Sequence, residues 1–370
     1  MPTNKILVAG GAGYIGSHFC HVAAERGFAP IVVDRIGPST DRVEAYRRRI
    51  GQNFPLEMCD IGDEARIAGL IARHRPVAAV CFAALIEVGE SVANPARFWD
   101  NNYVRAGRFF RALKTGGVRH LVFSSTSAVY ASAMAESALE EGHRLDPASP
   151  YGLTKLACEL TLQGVSPSHA IAPGVRLDHG QGDWPPPASL TDMGAAGFAP
   201  PSSLIFRYFN AAGAHPAAGL GEVHEPESHL IPRAVAAALD ATQGRSGGHL
   251  TINGDDYPTP DGTCVRDYVH VLDLADAHIA GLEYLLAGGA NDVVNLGSGS
   301  GYSIQQVVAA VADVTGLPVP VRMGPRRVGD PGRLVAEVTK ARRVLGWRPE
   351  RGLHEIIASA AEFHRRYDAG

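Results

Sequence analysis

Ile6-Leu7-Val8-Ala9-Gly10-Gly11-Ala12-Gly13-Tyr14-Ile15-Gly16 is the stretch from which the fold of this chain is read. A short apolar strand runs directly into a glycine turn, and a helical pattern follows. Glycines at 10, 13 and 16 let the backbone approach a pyrophosphate closely. The helix start presents unpaired N–H groups and a positive dipole end to such an anion. A second apolar run, Pro30-Ile31-Val32-Val33, ends in Asp34, close to the roughly 20-residue spacing expected of the acid that binds a ribose 2′-hydroxyl. A carboxylate there repels a 2′-phosphate and points to NAD, while the adjacent Arg35 works against that preference.

Outward from this unit, strands alternate with helices as a doubly wound parallel sheet requires. The next apolar runs are Leu56 to Asp60, Ala78 to Ala84 and His120 to Ser125. Ligands of such sheets sit at the carboxyl ends of strands, so Asp60, Ala83, Ala84, Ser124 and Thr126 point toward a cofactor crevice. The fold expected is a Rossmann-type α/β domain over residues 1–209, followed by a smaller α/β substrate-binding domain over 210–370 with segments returning to the first. Residues 164–203, rich in Gly, Pro, Ala and Ser and including Trp184-Pro185-Pro186-Pro187, read as a surface insertion. Order resumes with an apolar strand from Leu204 to Asn210.

Ser149-Pro150-Tyr151-Gly152-Leu153-Thr154-Lys155 opens another helix, expected to run to about Gln163. Residues four apart share a helix face, so Lys155 is expected to hold its ammonium near the Tyr151 phenol and favour the phenolate. A free tyrosine titrates near pH ~10, so work near neutrality requires a shift of about three units, or roughly 4 kcal/mol.

Composition narrows the function classes. The chain has 370 residues, 45% of them hydrophobic, enough for one large core or two contiguous ones. A formal charge of −4 carries no basic surplus, which argues against nucleic acid as a partner. No run of about 18 apolar residues occurs, and Met1 to Lys5 lead straight into a strand. Neither a membrane span nor a secretory leader is expected, and the setting expected is cytoplasmic. The five scattered cysteines read as reduced, mostly buried thiols. Fifteen histidines, with His215, His224 and His229 close together, raise the question of a metal. HExxH and CxxC spacings are absent from the sequence, and no metal is expected.

In the second half, Val265-Arg266-Asp267-Tyr268 and Arg326-Arg327-Val328-Gly329-Asp330 follow turn-rich segments. Guanidinium forks suit bidentate phosphate binding, so a second anionic ligand, a diphosphate, is expected here. The alternative is ordinary ion pairing of these arginines with Asp267 and Asp330.

These strings together resemble the UDP-glucose 4-epimerase family of extended short-chain dehydrogenase/reductases. The likeness runs through Gly10 to His18, Val88 to Val92, Asp100 to Asn102, Ser149 to Lys155, Arg207 to Asn210, Asp261 to Tyr268 and Asn295 to Gly297. The resemblance implies a tightly held NAD acting as a catalyst, with no net redox. Tyr151 takes the proton of the sugar 4-hydroxyl as hydride leaves carbon 4, and the 4-ketose turns before the same hydride returns to its other face. Lys155 binds the nicotinamide ribose and tunes Tyr151; Thr126, serine in some members, hydrogen-bonds the 4-oxygen and relays the proton. The cofactor set it implies is Gly10, Gly13, Tyr14, Ile15, Gly16, Asp34, Asp60, Ile61, Phe82, Ala83, Ala84, Asn101, Ser124, Tyr151, Lys155 and Tyr208. For the UDP-sugar it implies Thr126, Asn210, His229, Leu230, Thr251, Asn253, Arg266, Arg327, Asp330 and Leu334.

Three positions depart from the family pattern. Ile86 replaces a lysine that contacts the cofactor, His229 replaces an asparagine on the diphosphate, and Leu334 replaces a tyrosine that limits the sugar pocket. The smaller Leu334 suggests a wider sugar range. The strings Ile86 to Glu90 and Gly221 to Pro226 look like a bacterial branch linked to surface polysaccharide, which keeps UDP-xylose/UDP-arabinose or UDP-N-acetylglucosamine epimerisation as the alternative. A 4,6-dehydratase needs acidic residues after Thr126, where Ser127 and Ala128 stand; a non-catalytic NAD-binding sensor is the alternative of a different class. The resemblance also implies a homodimer through helices that include Ser91 to Leu113.

Overall fold

The computed structural model describes residues 4–35, 54–130, 137–167, 200–224, 226–242, 248–327 and 330–367. Of the insertion expected at 164–203, residues 168–199 lie outside the described residues. The chain divides into two compact units. One comprises Met1–Ala131, Gly142–Arg207 and His278–Val294; the other comprises Ser132–Glu141, Tyr208–Ala277 and Asn295–Gly370.

The strands are β1 (Lys5–Ala9), β2 (Ala29–Asp34), β3 (Leu56–Met58), β4 (Ala78–Cys81), β5 (His120–Thr126), β6 (Ser202–Tyr208), β7 (Asn210–Ala212), β8 (Leu250–Asn253), β9 (Val265–His270), β10 (Asp292–Leu296), β11 (Gly301–Ser303), β12 (Val321–Gly324) and β13 (Arg333–Leu334). The first unit is built on a seven-stranded sheet of order β10-β6-β5-β4-β1-β2-β3, flanked by helices. Its β1–β2, β1–β4, β2–β3 and β4–β5 pairs are parallel. Ile6 to Ala9 and Ala78 to Cys81 are wholly buried on both faces, as near-continuous apolar strands of a parallel sheet must be. Strand β1 has β2 on one side and β4 on the other, so strand order reverses there and a crevice opens at the carboxyl ends.

Two strands are shorter than the sequence predicts. The runs expected over Leu56 to Asp60 and Ala78 to Ala84 stop at Met58 and Cys81, because their last residues leave the ladder and turn toward the crevice. The run expected from Leu204 to Asn210 divides into β6 and β7.

The helix Pro150–Leu162 begins at Ser149, whose hydroxyl accepts from the Gly152 N–H at 3.2 Å, and is buried almost throughout. Its Glu159, wholly buried, meets the buried Arg207 of β6. Arg207 donates from Nη2 to Glu159 Oε2 at 2.6 Å and from Nε to both carboxylate oxygens at 3.0 and 3.1 Å. Ser125 Oγ donates to the same carboxylate, and Arg207 Nη1 donates to Tyr130 Oη at 3.2 Å. The network therefore ties helix, β5 and β6 together at one point.

In the second unit β9 pairs with β7, β11 and β13, and β8 pairs with β12. A separate core there gathers Ile231, Val235, Tyr268, Val307, Ile357 and their neighbours. Buried Asp267 accepts from the N–H groups of Ser298 at 2.7 Å, Gly299 at 3.0 Å and Ala336 at 3.1 Å, joining the loop after β10 to that after β13. All five cysteines are free and buried. Among the described residues no helix is long and apolar enough to cross a membrane.

Removing one member of a buried ion pair strands the other charge away from water. Arg207→Ala is expected to lower the unfolding free energy by about 3–5 kcal/mol in urea. A loss below about 1 kcal/mol would show that the pair does not hold the helix in place.

Candidate active site

The turn after β1 brings backbone within reach of backbone. Gly10 has φ +76°, and a Cβ there would lie 2.6 Å from the Ala83 nitrogen. A Cβ on Gly16 would run into the Gly10 carbonyl oxygen. Gly13 precedes the helix Tyr14–Glu25 without any side-chain cap, so the N–H groups at that helix start are not consumed by a cap. The cleft above the turn has a cavity volume of about 170 Å³ and opens to solvent. Eight of the expected cofactor residues line it: Gly10, Gly13, Asp34, Ile61, Phe82, Ala83, Ala84 and Asn101. Val33, Arg35 and Cys59 complete the lining.

Asp34 at the end of β2 accepts from the Ala12 N–H at 2.9 Å and from the Arg35 N–H at 2.7 Å. Burial raises its pKa, and these two amides and the Arg35 charge offset that only in part. The Arg35 guanidinium turns to Asp60 Oδ2 at 3.3 Å and to Asn101 Oδ1 at 2.6 Å. That commits the cation that the sequence set against NAD. Asp60 also accepts from the Gly62 N–H at 2.7 Å and pairs with Arg105. Burial works against its charge, but the Gly62 amide and the two arginines keep its pKa below the ordinary value.

Tyr151 lies in the first turn of the buried helix, and its hydroxyl meets that of Thr126 at the end of β5. Thr126 Oγ1 also accepts from the Ala128 N–H at 3.1 Å. Lys155, one helical turn on from Tyr151, is buried. Its Nζ donates to the Ser124 carbonyl oxygen at 2.8 Å and lies 5.0 Å from the centroid of the Phe123 ring. Burial lowers the Lys155 pKa, and nearby Cys81, Cys158 and Glu159 oppose that. Tyr151 in turn is pushed up to about 12 by burial, with the Thr126 hydrogen bond a smaller opposing effect. In the free protein this is a phenol set to share a proton with a hydroxyl, and not yet a base.

Several supporting residues escaped the sequence reading. Asn102 donates to the Leu85 carbonyl at 2.8 Å and accepts from the Leu85 N–H at 2.8 Å, fixing the segment that follows β4. His278 Nε2 and Ser124 Oγ are 3.2 Å apart. The Asp100-Asn101-Asn102 string was the available signal for Asn102; His278 and Glu159 sit in ordinary helical patterns and carried none. Tyr14 and Ile15 open the first helix, and Ile86 is exposed.

In the second unit Arg266 pairs with Asp330 and donates from Nη1 to the Val265 carbonyl at 2.8 Å. Its pairing partner is Asp330 and not Asp267. Leu334 lies in register with Arg266 on the neighbouring strand. Asn210 donates to the Asp267 carbonyl at 2.8 Å. The Asn253 side-chain oxygen, at the end of β8, accepts from Arg327 Nε at 3.2 Å and Nη2 at 3.3 Å. Thr251 is on the same strand, His229 immediately precedes the helix Leu230–Thr242, and Tyr208 ends β6.

Residues 7–172 match the family described as GDP-mannose 4,6 dehydratase, and residues 201–297 match the NAD dependent epimerase/dehydratase family. The chain is 41% identical over 366 residues to the UDP-glucose 4-epimerase of Rhizobium leguminosarum bv. trifolii, covering 99% of each chain. It superposes on the Brucella ovis UDP-glucose 4-epimerase in complex with NAD with TM-score 0.80 and 38% identity, over 97% of this chain and 98% of that one. Against a UDP-glucose-4-epimerase from Stenotrophomonas maltophila with bound NAD and formylated UDP-arabinopyranose, the TM-score is 0.83 at 32% identity, over 99% of both chains.

The geometry predicts that Tyr151 stays protonated in the cofactor-free protein throughout the neutral range. In an ultraviolet absorbance titration of that form, the difference between wild type and Tyr151→Phe should show no phenolate below about pH 10. A Tyr151 phenolate at pH 8 would contradict the burial argument.

Proposed function

The chain belongs to the UDP-glucose 4-epimerase family of NAD-dependent epimerases, and we propose that Tyr151, Thr126 and Lys155 carry its reaction. That reaction is the interconversion of UDP-glucose and UDP-galactose through a transient 4-keto sugar. The observation that supports the residue assignment is the placing of Tyr151 in the first turn of a buried helix, facing the Thr126 hydroxyl at the end of β5 of the same sheet as the glycine turn.

The turn fits NAD on its own features. Gly10 and Gly16 leave no room for side chains, the helix start lacks a side-chain cap, and Asp34 faces the cleft while the Arg35 guanidinium, also in the lining, pairs with Asp60 and Asn101. When bound, NAD would supply a reversible hydride acceptor for the sugar's carbon 4 and a positive ring charge near Tyr151. Thr126 accepts the proton of the sugar 4-hydroxyl as its own hydroxyl proton passes to Tyr151. Bringing Tyr151 from about 12 to near neutrality takes roughly 7 kcal/mol, more than a single lysine across a partly polar site supplies. Lys155, fixed by the Ser124 carbonyl, contributes its charge without having to be ordered during the reaction.

Asn210, His229, Leu230, Arg266, Arg327 and Asp330 of the second unit are assigned to the diphosphate end, and Thr251 with Asn253 to the base. Asp330 presets the Arg266 guanidinium, so its remaining N–H groups are oriented before an anion arrives. Binding energy from this remote end holds the keto sugar while it turns. The domain roles follow: 1–209 with its returning segments for NAD, 210–370 for the UDP-sugar. The same reading includes a cytoplasmic homodimer joined through helices within 91–113; a single monomeric species across a dilution series in sedimentation would contradict the dimer.

Protein as purified, without added NAD, is expected to convert UDP-glucose to UDP-galactose in a proton NMR assay. Parallel incubations with UDP-N-acetylglucosamine and UDP-xylose test whether the smaller Leu334 widens the sugar range. No epimer from any of the three, even with NAD supplied, would end the epimerase reading. Tyr151→Phe should keep UDP-glucose affinity within about threefold while losing at least a hundredfold in kcat, in line with general acid–base contributions. Near-wild-type turnover in that variant would remove Tyr151 from the mechanism.

A further inference from the structure

The segment ahead of the helix Leu230–Thr242 carries four metal-ligand side chains within eight residues: Glu222, His224, Glu227 and His229. The spacing lacks the one-turn repeat of helical metal motifs, so the sequence expectation was that no metal binds. The segment is irregular, however, and it folds the four donors onto one point. One donor atom from each lies within 4.8 Å of all the others.

The separations carry the argument. His229 Nδ1 is 3.1 Å from Glu222 Oε1 and 3.1 Å from Glu227 Oε1. His224 Nδ1 is 3.5 Å from Glu222 Oε1 and 3.5 Å from Glu227 Oε2. Ligands on a tetrahedral ion at bond lengths of about 2.0–2.1 Å stand roughly 3.3–3.4 Å apart, and the observed nitrogen–oxygen separations bracket that edge.

Hydrogen bonding between imidazole and carboxylate accounts for only part of this arrangement. Each Nδ1 carries at most one proton, yet each faces two carboxylates. The buried His224 Nδ1 and Glu227 Oε2 make no well-formed hydrogen bond although they face each other. Glu222 is almost wholly buried, and with neutral imidazoles the two carboxylates leave the cluster at about −2, a charge that burial makes costly. A divalent cation brings the cluster to neutrality.

We propose that Glu222, His224, Glu227 and His229 form a binding site for one zinc-class divalent transition-metal ion. Two imidazole nitrogens exclude magnesium and calcium as preferred occupants, since those ions favour all-oxygen sets. Four protein ligands leave no open coordination position, so the ion is structural; it takes His229 through Nδ1, just ahead of the helix start at Leu230, and leaves Nε2 for the diphosphate end. The His224 and His229 side chains remain partly exposed, which gives the ion a way in.

The test uses the full chain stripped of metal with a chelator and titrated with zinc sulfate, by calorimetry and by competition with a chromogenic chelator. One zinc per chain is expected, with affinity falling at least tenfold in His224→Ala and at least a hundredfold in a His224→Ala, Glu227→Gln double variant. Absence of stoichiometric binding at micromolar zinc, or binding undiminished in the double variant, would overturn the proposal. The zinc-edge absorption spectrum of the wild-type complex decides the matter without any variant. Two imidazole nitrogens and two oxygens at about 2.0–2.2 Å support the site, and any other shell overturns it.

Discussion

Burial of the helix Pro150–Leu162 is the constraint on which the first unit depends. Thr154, Lys155 and Glu159 have exposures of 0%, 3% and 0%, so every polar group on that helix must be matched inside the protein. The matching decides the geometry. Glu159 takes Arg207 and Ser125, which binds the helix to β5 and β6. Lys155 takes the carbonyl of Ser124, one residue before the Ser125 that serves Glu159. Thr154 donates to the Tyr151 carbonyl at 2.7 Å and receives a long bond from Asn102 at 3.3 Å. With those partners fixed, the Tyr151 phenol has one place to go, against Thr126.

The same burial acts on both groups of the site. Desolvation raises the phenol and lowers the lysine, opposing the charged form of each. A low dielectric also strengthens whatever charge is later brought beside them. A bound NAD would place a positive ring charge beside these groups. The glycine turn and Asp34, both facing a cleft in the same sheet, are placed by strand order and not by loop chance.

What the sequence made legible was local. Gly10 to Gly16, the capping Ser149 and the strand-end polar residues each express a backbone requirement within a few positions, and the parallel sheet follows from their repetition. What it left illegible was pairing across distance. Glu159 and Arg207 are 48 residues apart, Arg35 and Asn101 are 66 apart, and no periodicity links them. The helical spacing places Tyr151 and Lys155 one turn apart, but it could not show that the Ser124 carbonyl accepts from the ammonium. The strand ends at Met58 and Cys81 were overrun because apolar composition continues past the last ladder bond. His224 and His229 raised the question of a metal, but the spacing could not show that Glu222 and Glu227 join them, because no helix brings the four together.

An isotope-tracing experiment tests most directly whether one hydride is removed from carbon 4 and returned within the same site. UDP-glucose carrying deuterium at carbon 4 is converted in ordinary water, and the UDP-galactose is examined by mass spectrometry and NMR. The account predicts full retention of deuterium at carbon 4 of the inverted product. Loss of the label to solvent would mean that the centre is inverted by proton exchange, and would contradict a retained cofactor with Tyr151 and Thr126 handling only the hydroxyl proton.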